Sequence, residues 1–296
     1  GEDADWFGSN FICIMAVRAG LGLVGAVAWL LHTDRPAVDL RVFRDRNFAV
    51  GTALMGAMGA LLYASAIIVP QFAQQVMGYT ATLSGLLLSP GGIAVIVLIP
   101  IVGRLMTVMS VRSVIALGFG LMGLALFYSA QLLPQLDFKH LVFFRMSQTA
   151  CLAFLFVPLS TIAYSTIPER LNADASALFS MSRNVLGSLA ISGATALLTE
   201  QRQAEQAHSV HLMTPYRQPF NNYLDQVQQA AQARGMTEAA AQQAAGHQIF
   251  KEFSVQIAML AYNEVFIILG IAAFLCVPFC FLLSPIRGDG KARGAH

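Results

Sequence analysis

The chain has 296 residues, of which 56% are hydrophobic and only 11% are charged, and its formal net charge is +2. A soluble domain carries about 25% charged residues, and a chain of this length needs a polar shell in water. The composition therefore excludes an ordinary soluble domain, and the small net charge argues against a nucleic-acid-binding protein. The four cysteines lie in apolar runs, as core side chains do, so we expect no disulfide, metal site or cofactor.

Seven stretches of about 20 mainly apolar residues predict transmembrane helices, and hence an all-α, polytopic membrane protein. They cover residues 10–31, 48–71, 81–103, 113–133, 141–166, 175–198 and 256–283. Pro100, Pro158 and Pro278 fall inside these spans, which suits a bundle whose neighbouring helices satisfy the freed backbone groups. Because the chain begins at Gly1 rather than at an initiator Met, we expect it to be part of something longer.

The distribution of Lys and Arg among the connections predicts an orientation. Ten of them lie on one side of the spans, in the first, third and fifth connections and the C-terminal tail. The short connections of the other side carry only Lys139, and the long connection between the last two spans has little weight. We therefore expect the N-terminus outside and the C-terminus in the cytoplasm.

The connection at 199–255 is the one extended polar segment, and it is rich in the helix formers Gln and Ala. Gly235 offers a helix stop, and Thr237 can cap a following helix that runs into the last span. The segment is either a solvated helical hairpin over the outer mouth or a docking surface for an extracytoplasmic partner. His208 and His211 lack further ligands at suitable spacing, so no metal site is expected there.

The sequence has neither a phosphate-binding loop of the GxxxxGK[ST] type nor a nucleophile, base and acid at matched depth, so we expect no enzyme. Ionisable side chains within the spans point to function instead, because they are costly in hydrocarbon. Glu264 is the only acidic residue well inside a span. A carboxyl group that is neutral in hydrocarbon and ionises when water or a cation reaches it can carry protons, with Tyr262 and Asn263 as polar partners. The alternative is a structural acid that is permanently paired with an arginine.

Arg183 lies roughly 12 Å from the inner end of its span, at 1.5 Å per residue. Ser176, Ser180 and Gly187 share its helix face, and such small residues allow close helix contact. We therefore expect Arg183 to point into the bundle, in either a functional or a structural role.

Two further arginines lie closer to the membrane surface. Arg145 is only about 4 residues from the outer end of its span, so we expect it to snorkel. With Gln148 one turn away, it could still form a polar patch near Glu264. Arg18, in the first span, is also expected to snorkel.

Aromatic residues and methionines are frequent, and some of them are candidates for lining an apolar substrate cavity. Most such side chains face lipid or other helices. The candidates are Tyr63, Phe154, Phe156, Tyr164, Phe179 and Met181.

Short strings in collinear order resemble the EmrB/QacA family of multidrug:proton antiporters in the major facilitator superfamily, and its EmrB branch most closely. These strings are residues 5–7 (DWF), 36–43 (PAVDLRVF), 46–48 (RNF), 78–82 (GYTAT), 156–162 (FVPLSTI), 167–171 (IPERL) and 262–266 (YNEVF). The resemblance implies a fold of fourteen spans, in which two extra helices separate two six-helix bundles.

The resemblance implies three parts. Residues 1–46 hold an outer segment, a linker helix and a cytoplasmic loop, and residues 47–286 form the C-terminal six-helix bundle, which includes the 199–255 loop. Residues 287–296 are a cytoplasmic tail. Gly103, Arg104 and Arg112 resemble a degenerate form of the superfamily's cytoplasmic loop motif. Thr107 occupies the position where the motif has Asp, which puts a gating role of this loop in doubt.

The resemblance also implies function: alternating-access export of hydrophobic or amphipathic drugs in exchange for protons, from the inner membrane, with an EmrA-like periplasmic adaptor and a TolC-type outer-membrane channel. The N-terminal half of such a pump is missing from this chain. Two alternatives remain at this stage, a seven-helix receptor and a fragment that is inactive by itself. A retinal-binding receptor is excluded because Lys139, Lys251 and Lys291 all lie outside the spans.

Overall fold

The computed structural model describes residues 10–33, 39–131, 137–210, 226–230, 232–233 and 237–284. All regular elements in these ranges are helical, which confirms the all-α prediction. The long and intermediate helices are α1 (Asn10–His32), α2 (Arg46–Gln75), α3 (Ala81–Leu86), α4 (Ser89–Val108), α5 (Val111–Ser129), α6 (Phe138–Tyr164), α7 (Asn172–Val210) and α8 (Glu238–Cys280). Two 3-10 helices, Leu40–Arg44 and Glu169–Leu171, precede α2 and α7.

Several helix starts follow from capping residues in the sequence. The Asp45 carboxylate accepts a hydrogen bond from the Phe48 backbone N–H at 2.8 Å, and the Thr80 hydroxyl accepts one from Leu83 at 3.3 Å. Both satisfy donors that the first turn of a helix leaves free. Gly78 supplies the turn before α3, where its φ of +70° lies in the left-handed region that favours glycine.

Five segments of the described chain are long and apolar enough to cross a membrane: Arg46–Gln75, Ala81–Val108, Val111–Ser129, Phe138–Tyr164 and Glu238–Cys280. The prediction of seven spans is therefore confirmed for five. α1 is not among the five, and among the described residues it contributes the shorter apolar stretch Cys13–Gly22. α7 is not among them because its polar residues lower its mean hydropathy. The chain is a helical, multi-pass membrane protein.

The polar segment predicted at 199–255 is largely an extension of two helices in its described part. α7 continues to Val210, and α8 begins at Glu238 after Thr237, which is its N-cap residue as expected. α8 is thus one helix of 43 residues, with a polar first half that runs into the last span. Gly235 and His211 lie outside the described residues, and so does the side chain of His208.

The helices pack around α2, which contacts α6, α7 and α8, while α5 packs between α6 and α8, and α4 lies along α6. α1 makes no extensive contact with another helix in the described part of the chain. The core contains large side chains that are wholly buried, among them Phe48, Phe72, Phe119, Tyr262 and Phe266. The division into a linker helix and a six-helix bundle stays a prediction.

α2 and α7 pack closely against each other. A Cβ atom added at Gly59 would lie 2.6 Å from the backbone oxygen of Arg183, and one at Gly56 would lie 2.7 Å from the Ser182 hydroxyl. Ser182 donates to the backbone oxygen of Thr52 at 3.0 Å. Small residues and hydroxyls at the contact are typical of helix packing in membranes, where apolar side chains gain little by leaving lipid.

Candidate functional site

An apolar cavity of about 250 Å³ lies where α2, α4, α6 and α7 meet. Arg183 is the only charged residue among the described residues that line it. The lining residues are Met58, Leu62, Tyr63, Val95, Ile99, Leu152, Ala153, Phe156, Val157 and Arg183. Such a cavity, apolar with a single polar group, has the general character of a small-molecule site.

Arg183 is held in this cavity by contacts on two sides. Its guanidinium carbon lies 5.7 Å from the centre of the Phe156 ring, within the range of a cation–π interaction. Its side-chain stem packs on Gly59, and its Nε atom is buried without a hydrogen-bond partner among the described residues. The side chain therefore points into the bundle, where it offers an unused donor.

Tyr63 reaches the cavity from α2 and contacts α7. Its hydroxyl donates to Oδ1 of Asn184 at 3.1 Å, and its ring covers Gly187, where any side chain would overlap it. Of the six aromatic and methionine residues considered as cavity candidates, Tyr63 and Phe156 line this cavity.

The other four candidates lie elsewhere in the described structure. Phe179 is buried and packs on Tyr164 with ring centres 5.4 Å apart. Phe154 packs against a small apolar cluster between α4, α5 and α6, and Met181 is 55% exposed on the outside of α7. These positions follow from the helical repeat, because a shift of one or two residues moves a side chain to another face.

Arg145 does not snorkel, and that expectation was wrong. It is only 5% exposed, and its Nη1 atom donates to the Ser65 hydroxyl at 2.9 Å and to Oε1 of Gln148 at 3.2 Å. Nε2 of Gln148 donates in turn to the Ser129 hydroxyl at 2.7 Å. The guanidinium stays inside because α2 and α6 supply acceptors there, so the polar patch of Arg145 and Gln148 joins α2, α5 and α6.

Glu264 is half-buried in α8 and does not line the cavity around Arg183. No hydrogen bond or ion pair joins its carboxylate to Arg145 or Arg183 in the described part of the chain. Its neighbour Asn263 is also half-buried, whereas Tyr262 is fully buried and packs edge-on against Phe72, with ring centres 5.3 Å apart. Arg145 and Gln148 thus form one cluster, whereas Arg183 and Tyr262 lie in two other places in the bundle.

The three residues of the degenerate motif lie near the adjoining ends of two helices, Gly103 and Arg104 in α4 and Arg112 in α5. Gly103 and Arg104 are exposed and Arg112 is half-exposed. Thr107 donates to the backbone oxygen of Arg104 at 2.7 Å, so it closes a turn of its own helix instead of reaching a charged partner. Arg18, in α1, is exposed.

Sequence reasoning missed a cluster around Arg202. Nη2 of Arg202 donates to Oε1 of Gln75 at 3.0 Å, and the guanidinium carbon lies 5.0 Å from the centre of the Tyr262 ring. The Tyr262 hydroxyl donates to the same Gln75 oxygen at 3.3 Å. Arg202 lies in the polar segment 199–255, which the sequence predicts to be a solvated helical hairpin or a docking surface, so no partner of Arg202 was predicted.

The family is decided by a comparison of the whole sequence with known families. Residues 4–191 match the model of the Major Facilitator Superfamily. The chain belongs to the Major Facilitator Superfamily. This membership fits the all-helical, multi-pass structure.

Within the superfamily, the chain is similar to EmrB-type proteins. It is 31% identical over 298 residues to the multidrug export protein EmrB of Escherichia coli K12, covering 100% of this chain and 57% of that protein. It is 32% identical over 241 residues to EmrB of Haemophilus influenzae, covering 81% of this chain and 47% of that protein. It is 25% identical over 297 residues to the fatty acid resistance protein FarB of Neisseria gonorrhoeae, covering 100% of this chain and 56% of that protein.

The chain spans about half the length of these curated relatives. This coverage and the similarity are consistent with the C-terminal half of an EmrB-type superfamily transporter, as the short strings predicted.

Proposed function

We propose that this superfamily member is one half of a proton-coupled efflux transporter that exports hydrophobic or amphipathic compounds by alternating access. The observation that carries the proposal is the apolar cavity with Arg183 as its one charged lining residue. Its apolar walls suit ligands that are recognised by burial of apolar surface, and such recognition is broad. Membership of a transporter superfamily favours this function over the seven-helix receptor and over an enzyme.

The charge of Arg183 sets a preference among hydrophobic compounds. A cationic drug that entered the cavity would face a like charge in surroundings of low dielectric constant, whereas an anionic one would gain a charge-assisted hydrogen bond to the free Nε. Neutral and anionic compounds should therefore be better substrates than cationic ones. Two relatives, a multidrug export protein and a fatty acid resistance protein, have names that are in keeping with hydrophobic cargo.

The cavity of about 250 Å³ is only partly enclosed by this chain, so a partner would close it. We propose that a second bundle, outside this chain, rocks against the present one around this cavity. Without that half, the chain by itself would not move substrate across the membrane.

Glu264 is our proposed proton carrier. It is the one carboxylate within the apolar part of α8, where exchange between a neutral and an ionised form is coupled to access of water. Since α8 contributes no described residue to the cavity lining, coupling would act through helix movement rather than through direct contact with the drug.

We further propose that the chain lies in the inner membrane with its N-terminus outside and its C-terminus in the cytoplasm, as the Lys and Arg distribution predicts. The extensions of α7 and α8 beyond the apolar spans would then project outward. They are the proposed contact for an EmrA-like adaptor, which would pass the drug to a TolC-type channel.

The test is transport by the intact pump. The complete reading frame that includes this chain is expressed in efflux-deficient cells, and accumulation of three hydrophobic dyes of similar size, one neutral, one anionic and one cationic, is followed with and without a protonophore. We expect lower accumulation of the neutral and anionic dyes, reversed when the proton gradient is abolished. Unchanged accumulation of all three dyes would contradict the proposed export, and export that survives the protonophore would contradict proton coupling.

A further inference from the structure

A second pocket, of about 410 Å³, lies between the end of α2 and the middle of α8, with one wall from α7. It is separate from the Arg183 cavity, and the two have no lining residue in common. The residues that line it are Gln75, Val76, Met77, Gly78, Arg202, Lys251, Ser254, Val255 and Ala258. An adjoining recess of about 190 Å³ shares Arg202, Ser254 and Ala258 with it.

The guanidinium of Arg202 is fixed in this pocket before any ligand arrives. Oε1 of Gln75 accepts a hydrogen bond from Nη2 of Arg202 at 3.0 Å. The guanidinium carbon of Arg202 lies over the Tyr262 ring, 5.0 Å from its centre. Its Nε atom is buried and has no hydrogen-bond partner among the described residues. A pre-oriented arginine loses little conformational freedom on binding, and its donors match the geometry of a carboxylate or a phosphate.

Lys251 gives the pocket a second positive charge, and no acidic residue is among its described lining residues. Glu252 follows Lys251 in the chain and lines an adjoining depression that shares Lys251 and Val255 with this pocket, and its Oε1 atom accepts from Gln248 at 3.1 Å. The Ser254 hydroxyl already donates to the backbone oxygen of Phe250 at 2.8 Å. The described lining of the pocket itself therefore carries two cations and no acidic residue, which favours an anionic ligand.

The apolar part of the lining shows that the ligand is more than a small ion. Val76, Met77, Val255 and Ala258 line the same pocket as the two cations. The pocket also lies where α8 changes from the polar segment 238–256 to the apolar segment 257–280, and where α2 ends at Gln75. Such a change from polar to apolar sequence is expected where the headgroups of a bilayer meet its hydrocarbon.

We propose that this pocket binds the anionic head of a membrane amphiphile, with Arg202 and Lys251 holding its phosphate or carboxylate and with the apolar residues contacting the first carbons of its chain. The bound molecule would link α2, α7 and α8 at one end of the bundle. The proposal does not depend on transport, since it concerns a site apart from the Arg183 cavity.

The experiment measures lipid binding to the purified 296-residue chain in detergent by native mass spectrometry. The probes are dioctanoyl-phosphatidylglycerol, dioctanoyl-phosphatidylcholine, decanoate and inorganic phosphate. We expect the anionic phospholipid to bind at least about tenfold more tightly than the zwitterionic one, the scale of one charge-assisted hydrogen bond. Decanoate distinguishes the two sources: binding equal to that of phosphatidylglycerol identifies a carboxylate amphiphile, and weaker binding identifies a phospholipid.

Three variants assign the binding to this pocket. Arg202→Gln and Lys251→Gln should each weaken phosphatidylglycerol binding about tenfold. Lys251 is exposed, so its variant tests the site without disturbing packing. Lys139→Gln is the matched control, because Lys139 is exposed at the same end of the bundle, where Phe138 packs on Tyr79 at 6.0 Å. It should leave binding unchanged.

Three results would overturn the proposal. The first is equal affinity for the two phospholipids, and the second is equal affinity for inorganic phosphate and phosphatidylglycerol. The third is a loss of affinity in Lys139→Gln as large as that in Lys251→Gln.

Discussion

Nη1 of Arg145 lies 2.9 Å from the hydroxyl oxygen of Ser65, so a buried arginine of α6 donates a hydrogen bond to α2. The same nitrogen donates to Gln148, which passes the connection to Ser129 at the end of α5. Three helices are thus joined by a continuous set of polar contacts inside an apolar bundle. In hydrocarbon these contacts have no competing water, although interhelical hydrogen bonds in membranes are worth only about 0.6–2 kcal/mol each.

The first prediction concerns this network. Gln148→Leu removes one acceptor of Arg145 and leaves its buried charge with Ser65 alone, so we expect the free energy of unfolding to fall by about 1–3 kcal/mol. The double variant Arg145→Leu/Gln148→Leu removes both partners and should cost less than the sum of the two single changes. Unfolding in mixed detergent and SDS, followed by circular dichroism, gives the free energies. Additive losses would contradict a coupled network.

The second prediction concerns the close contact of α2 with α7. Gly59→Ala places a Cβ atom 2.6 Å from the Arg183 backbone oxygen, and the helices must separate to admit it. We expect a loss of about 1–3 kcal/mol in stability, as for other overpacked contacts. Gly193→Ala on α7 is the control, because nothing lies within 4 Å of its added Cβ, and it should be neutral or slightly stabilising. Equal behaviour of the two variants would show that the contact is not tight.

Much of the fold could be predicted from the sequence, because apolar runs of spanning length are a strong local signal. Five of the seven predicted spans are confirmed, and the expected continuation of the polar segment into the last span is found in α8. The helix ends depart by several residues, most of all in α7, which continues to Val210 because Gln, Ala and Glu favour helix beyond the apolar part. Hydropathy measures burial in lipid and carries little information on where such a helix stops.

The site was less predictable, since it depends on which helix faces which. The expectation that Arg183 points inward was reasonable because small residues mark a contact face. The burial of Arg145 was not predicted, because its distance from the end of the span does not reveal its hydrogen-bond acceptor. That acceptor, Ser65, lies 80 positions earlier in the chain. The Arg202 pocket was missed for the same reason: Gln75 and Tyr262 are 187 positions apart, and only the folded chain brings them together.

The third prediction separates cavity residues from core residues. Phe179 is 5% exposed and packs on Tyr164, so Phe179→Ala should lower the free energy of unfolding by about 3–5 kcal/mol. Phe156 is 43% exposed at the cavity, so Phe156→Ala should cost much less stability and instead change which dyes the intact pump exports. The two readouts are the SDS unfolding midpoint and dye accumulation. A large stability loss in Phe156→Ala would place that ring in the core.

The fourth prediction concerns charge selection at Arg183. Arg183→Gln removes the charge from the cavity, so export of the anionic dye should fall about tenfold, the equivalent of one lost charge-assisted hydrogen bond. Export of the neutral dye should be little changed. Arg183→Lys keeps the charge but loses the planar group that stacks on Phe156, and should retain part of the anionic preference. Arg104→Gln, at an exposed arginine, is the control. A parallel fall for both dyes would indicate a structural role.

The last prediction concerns Glu264, whose half-buried carboxylate lies on α8, away from the described lining of the drug cavity. Glu264→Gln keeps the size and polarity of the side chain but cannot release a proton. We expect the variant pump to insert into the membrane normally and to lose proton-driven export. Because α8 supplies no lining residue, drug binding measured without a gradient should stay near the wild-type value. This separation of binding from coupling is the specific signature of a remote proton carrier.

The matched control is Glu238→Gln, at the exposed first turn of the same helix, which should leave export intact. Export is followed as dye accumulation under an imposed pH gradient in vesicles that contain the intact pump, and drug affinity is followed by dye fluorescence in detergent. Normal export by Glu264→Gln would eliminate this residue as the proton carrier. Loss of binding together with export would contradict this separation of coupling from binding.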